Sequence, residues 1–272
     1  MEIRAEETAE RWAPPWWVVF VVGLVLWGAT IAVARLTQNV ILLPTIVLLG
    51  SFLVPITAVV WYLDHDPSPA LSPRRILVAF LIGGVLGVLG ASLLEYWLVR
   101  VGLIGAFEVG LIEEFVKAVF IVVVALGIHH FHIRDGMVLG STVGFGFAAL
   151  ESSGYALASL FVVHGNLLVL SLNSVIFTEL LRGVLAPFGH GMWSAILGGV
   201  IFAAARRGSR LRITWGVLGT YLLISALHGV FDLVTGMLGV VVVSLVGLIP
   251  FIWLWRRGDA GGVLPRRRAS VV

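Results

Sequence analysis

Glu113-Glu114-Phe115-Val116-Lys117 sets two carboxylates and an ammonium within little more than one helical turn, inside an apolar run whose other charged residue is Glu108. A charge at the centre of a membrane-spanning helix costs about 2.5–3.5 kcal/mol even on the lenient insertion scale, so each such residue needs a partner or a use. Lys117 stands at i+4 from Glu113 and i+3 from Glu114 and can reach either. Adjacent helical positions point about 100° apart, so one carboxylate pairs fully with Lys117 while the other faces elsewhere. A spare carboxylate is what a general base requires. The competing reading of this motif alone is a neutralised pair that glues helices together.

Three further positions repeat the pattern. Phe147-Ala148-Ala149-Leu150-Glu151 carries an acid deep in the next apolar run, and His190 opens a later one just after Pro187 and Gly189. His228-Gly229-Val230-Phe231-Asp232 places an imidazole and a carboxylate at i and i+4, on one helix face, where the Asp can orient the ring. At 1.5 Å per residue, Glu113, Glu151 and His228 fall near mid-helix, whereas His190 comes out shallower. Gly136, Gly140 and Gly144 recur every four residues before Glu151, a flat stripe that on its own means close helix packing. His129, His130 and His132 beside Arg134 and Asp135 read as an interfacial loop, and His65 and His164 as loop residues.

These side chains need elements that cross a bilayer. Of the 272 residues, 59% are hydrophobic and only 12% charged, about half the charged fraction of a soluble domain. Eight stretches approach the roughly 20 apolar residues needed to span hydrocarbon: Trp16 to Ala34, Val40 to Leu63, Ile76 to Val99, Gly105 to Ile128, Gly136 to Val163, Gly189 to Ala205, Trp215 to Asp232 and Leu238 to Trp255. The expected fold is all-α, a polytopic transmembrane bundle of about eight helices in a single integral membrane domain over 1–272, with the chemistry in 105–235. The segment from His164 to Phe188 is ambiguous, moderately apolar but interrupted by Asn166, Asn173, Glu179, Arg182 and Pro187; it reads as a surface or re-entrant helix. The first run exceeds a signal-peptide core and follows Glu2, Glu6, Glu7 and Glu10, so it is read as a retained helix. Cysteine is absent, which removes thiolate chemistry and leaves N and O ligands for any metal.

Net charge is +3, but the arginines cluster at the ends of apolar runs, which argues for membrane orientation and against nucleic acid. With both termini cytoplasmic (1–15 and the basic 256–272), the inner segments hold Arg4, Arg11, Arg74, Arg75, Arg134, Arg206, Arg207, Arg210, Arg212, Arg256, Arg257, Arg266, Arg267 and Arg268, 14 of the 18 Lys and Arg. Arg35, Arg100 and Arg182 fall outside. The expected location is the plasma membrane, multi-pass.

The ordered set Glu113-Glu114-x-x-Lys117, Phe147-x-x-x-Glu151, His190 and His228-x-x-x-Asp232 resembles the PrsW family of intramembrane metalloproteases, kin of the CAAX prenyl endopeptidases. Asp135-Gly136-Met137-Val138, Gly144-Phe145-Gly146-Phe147 and Arg182 eight residues before His190 add to the likeness. The prenyl endopeptidases carry His where this chain has Glu151, so prenylated substrates do not follow. The resemblance implies functional roles for Glu113, Glu114, Glu151, His190, His228 and Asp232, and a single-span membrane protein as substrate, such as an anti-sigma factor, cut near the outer side. On this reading Glu151, His190 and His228 hold zinc, Glu113 or else Glu114 acts as base while the other pairs with Lys117, and Asp232 orients His228. A metal-free scheme would have Glu113 and Glu151 activate water. The rivals are an ion- or proton-coupled transporter and an inactive membrane scaffold. Nothing in the sequence sets the oligomeric state.

Overall fold

The computed structural model describes residues 14–65, 68, 70–100, 102–165, 167–206, 210–234 and 236–259. Arg4, Arg11, Arg207 and Arg266 to Arg268, on which part of the orientation rests, lie outside the described residues, as does most of each terminal segment. Helix α1 is Trp16–Thr37, and α2 is Leu43–His65, entered through a 3-10 turn at Val40–Leu42. Helix α3, Pro73–Leu81, runs through a π turn at Ile82–Leu86 into α4, Gly87–Leu98. Then come α5, Leu103–Ala125, and α6, Ile133–Ser159. A hairpin of β1, Phe161–His164, and β2, Leu167–Leu170, leads to α7, Leu172–Leu185. The chain finishes with α8, His190–Arg206, α9, Trp215–Leu233, and α10, Met237–Asp259.

Each of the eight expected stretches holds a helix. Six helical stretches among the described residues are long and apolar enough to cross a membrane. Helices α5 and α6, of 23 and 27 residues, are not among the six. Their polar residues are those that build the site and the packing stripe.

The ambiguous segment differs from a simple surface helix. The fifth run ends at Ser159 rather than Val163, and Phe161 to His164 pairs antiparallel with Leu167 to Leu170. Gly165, at φ +61°, supplies the left-handed position that a tight hairpin needs. The β-branched and apolar residues on either side favour strand over helix. Helix α7 follows, capped by Ser171 Oγ accepting from the Ser174 amide. Trp27 Nε1 of α1 donates to Glu179 Oε2 at 2.8 Å, which fastens α7 against the outer helices.

The centre of the molecule is the α6–α8 pair, and glycine is the reason the two helices approach so closely. A Cβ on Gly136, Gly140 or Gly144 would meet the carbonyl oxygen of Gly198, Ser194 or His190 in turn. The four-residue stripe thus forms a backbone-to-backbone seam. Gly140→Val is expected to lower stability by at least about 1–3 kcal/mol, because the obstacle is main chain and cannot rotate away. A thermal melt in detergent that matched the parent would contradict this.

Candidate active site

Helix α8 begins at His190, yet His190 is not shallow. Its carbonyl lies against Gly144, which is 15 residues, about 22 Å, from the Ser159 end of α6. Helix α8 therefore starts in mid-bundle. Helix α7 and the 3-10 turn at Ala186–Phe188 supply the other half of the crossing.

Helices α5 and α9 make a second close approach. A Cβ on Gly110 would meet Ser225 O, and one on Gly229 would meet Phe107. Glu113 and Glu114 are thereby held beside His228.

Around this junction, Lys117 Nζ donates to Glu114 Oε1 at 2.8 Å, Glu113 Oε2 at 3.0 Å and His190 Nδ1 at 2.7 Å. All three ammonium protons are used. With that bond fixing the His190 tautomer, Nε2–H donates to Glu151 Oε2 at 2.8 Å. His228 Nδ1–H donates to Glu114 Oε1 at 3.0 Å. Each imidazole thus has a carboxylate behind it, the arrangement that sets ring orientation and tautomer in metal sites. The inward edge of His228, Nε2, faces Glu113 Oε2 at 3.6 Å and Asp232 Oδ2 at 3.5 Å. A neutral imidazole lone pair opposite two carboxylate oxygens is an electron-rich pocket suited to a cation.

Arg182 of α7 closes the rim, with NH2 donating to Glu151 Oε2 at 2.7 Å and Nε to Ser152 Oγ at 2.8 Å. Its guanidinium also lies over the Tyr155 ring at 4.2 Å. Trp193 packs on the His228 ring at 4.8 Å between centroids, and Phe147 lies under Lys117 Nζ at 4.2 Å. Exposure grades across the site. Glu114 and Lys117 are fully buried, the His190 side chain is 12% exposed and the Asp232 side chain 38%. The open part is a cavity of about 70 Å³ lined by Glu151, Tyr155, Arg182, His190, His228 and Asp232 among others.

The six expected residues, from four helices, therefore meet in one place. Among the described residues, the His and carboxylate side chains whose donor atoms all lie within 4.8 Å of one another are Glu113, His190 and His228. Glu151, expected with the two histidines, bonds to His190 Nε2 and Arg182. Glu114 holds the His228 Nδ1 position expected of Asp232, and Asp232 stands at the open side. Arg182 and Ser152 were not singled out as site residues. The visible signal for Arg182 was a cation in an apolar segment eight residues before His190.

The Lys117 ammonium stands within 3.0 Å of both Glu113 and Glu114 and is fully buried. Lys117→Met leaves those carboxylates without their cation, which should cost about 3–5 kcal/mol. Helicity in detergent that melted at the parent temperature would show that Lys117 does not hold the pair.

A Glu and two His offering one donor each match the three-ligand catalytic set of zinc enzymes, so the donor chemistry fits a metal, although a metal there competes with Lys117 for the His190 Nδ1 lone pair. No curated protein and no solved structure matches the chain. One family model does match, that of the PrsW family intramembrane metalloprotease, over residues 72–255, which takes in α3 to α9 and every residue of the site. The chain belongs to the PrsW family of intramembrane metalloproteases.

Proposed function

We propose that this protein is an intramembrane endopeptidase that hydrolyses a peptide bond in a membrane-anchored protein, near the outer side of the plasma membrane, with both of its termini cytoplasmic. The observation that carries this reading is the convergence of Glu113, His190 and His228 within 4.8 Å, inside a bundle built from helices of membrane-spanning length.

In this scheme Glu113, His190 and His228 would hold a zinc ion, with Lys117 giving up its bond to His190 Nδ1; the metal would lower the pKa of water to about 7 and polarise a carbonyl. Glu151 and Glu114 fix the two rings from behind. Asp232, the most open carboxylate of the site, accepts the proton of the attacking water and returns it to the leaving amine. Arg182 lines the cavity and supplies positive charge where negative charge develops on the carbonyl oxygen. The site's other cation, Lys117, is sealed from the cavity and pairs with Glu114, which also accepts from His228.

A single-span substrate suits the small cavity, which is far too small for a folded domain. A membrane-anchored anti-sigma factor is the first substrate to try, in keeping with the family resemblance. The experiment is reconstitution with a library of tagged single-span proteins, followed by fragment sizing. The parent should release a defined fragment and His228→Ala none. Activity that survived complete metal removal would overturn the zinc scheme, and Glu151-dependent ion flux without cleavage would overturn the protease reading.

A further inference from the structure

A second feature runs from beside Phe115 toward the Arg206 end of α8, on residues the active site does not use. The face between α5, α8 and α9 is cut by a groove of about 490 Å³ whose walls include Val119, Val123, Ile201 and Leu218. It starts near Phe115 and Tyr221 and ends at Arg212. From Phe115 to Val123 the floor is about 12 Å long. Its walls are almost entirely hydrocarbon, and among the described residues Arg212 is the charged one that lines it.

Arg212 also lines a second cavity of about 660 Å³, of different character. This bowl is walled by Arg206, Arg212 and Arg257, with Thr214, Trp215 and Trp253. Arg212 Nε donates to Ala204 O at 3.1 Å, which anchors the guanidinium between the two cavities. Arg257 lies over the Trp253 ring at 3.8 Å. Among the described residues, no acid pairs with Arg206, Arg212 or Arg257. Orientation needs positive charge on loops, but it does not need three arginines around one bowl that shares Arg212 with an apolar groove.

We propose that these two cavities form one binding site for an anionic phospholipid, with the phosphate headgroup in the arginine bowl and an acyl chain in the groove. Charge selects the ligand: three cations that no described acid pairs with attract an anion, and guanidinium groups match phosphate oxygens with paired N–H donors. The hydrocarbon groove then distinguishes a lipid from a free phosphate. Trp215 and Trp253 flank the bowl as residues suited to headgroup depth. The chain in the groove would rest on α5 and α9, the helices that carry Glu113, Glu114 and His228, so the site adjoins the catalytic junction without sharing a residue with it.

The test uses full-length protein, stripped of lipid in detergent and titrated with phosphatidylglycerol, with phosphatidylcholine and with inorganic phosphate, bound lipid being counted by native mass spectrometry. One phosphatidylglycerol should bind per chain at least about 10-fold more tightly than phosphatidylcholine, with phosphate alone far weaker. The triple variant Arg206→Gln, Arg212→Gln, Arg257→Gln should lose the preference. Ala118→Trp and, separately, Leu218→Trp fill the groove without touching a charge and should weaken phosphatidylglycerol at least about 10-fold; either one that melts like the parent decides the point. Equal binding of the two lipids, an unchanged preference in the arginine variant, or phosphate binding as tightly as lipid would each overturn the proposal.

Discussion

On the proposed zinc scheme, Glu113→Gln is expected to empty the site of metal and to stop cleavage while leaving a folded protein. Loss of a carboxylate behind a metal-bound imidazole costs about 10–100-fold in metal affinity or activity, so loss of a ligand itself should exceed about 100-fold in both. The contrast that makes the result informative is Glu151→Gln. Its carboxylate lies 2.8 Å from His190 Nε2 and 2.7 Å from Arg182, behind the ring, so its loss should fall inside the 10–100-fold range and leave measurable zinc. Metal content by elemental analysis and cleavage of one reporter substrate, measured on both variants, decide the assignment. Zinc retained by Glu113→Gln and lost by Glu151→Gln would exchange the roles of the two acids.

Asp232→Asn should separate holding the metal from moving the proton. Removing a positioned general base costs about 10²–10⁴-fold, and the Asn keeps the shape of the side chain. Asp232 lies 3.5 Å from His228 Nε2 and is 38% exposed at its side chain, so water reaches it without any rearrangement of the buried acids. The expected outcome is a kcat lower by that factor, with KM and zinc content close to those of the parent. Zinc lost together with rate would make Asp232 a ligand. An unchanged kcat would move the base to one of the other carboxylates at the cavity.

The comparison between the Glu113 and Asp232 variants also bears on how Lys117 contributes. Its three protons reach Glu113, Glu114 and His190, so the ammonium organises acids from one helix and an imidazole from another. A buried pair of this kind owes much of its geometry to the rigidity of what surrounds it. Here the rigid frame is the pair of glycine seams, α6 on α8 and α5 on α9.

Much of this was legible in the chain itself. Apolar runs of membrane-spanning length dictated the helices, because in lipid every backbone polar group must be satisfied within its own element. Charges inside those runs marked Glu113, Glu114, Lys117, Glu151, His190, His228 and Asp232, because their burial in hydrocarbon carries a cost that a lipid-facing surface does not repay. The Gly136, Gly140 and Gly144 spacing foretold a seam, since four residues make almost one turn. A Gly165-Asn166 pair between β-branched and apolar residues is also a hairpin signal, overlooked against the stronger reading of a long helix.

Tertiary structure alone decided how these residues divide the work. Periodicity places a side chain on a face, but which nitrogen of an imidazole points inward depends on what stands behind it, and that neighbour comes from another helix. Thus Glu114, and not Asp232, stands behind His228, and Glu151 lies behind His190 while Glu113 faces the centre. The depth of His190 was hidden for the same reason. A count of residues from the end of α8 assumes that a helix begins at the membrane edge, whereas α8 begins in mid-bundle where Gly144 allows its backbone to dock. Residue type and spacing determined that a polar site exists within the helices; contacts between helices far apart in the chain determined its inside, its outside and its open door.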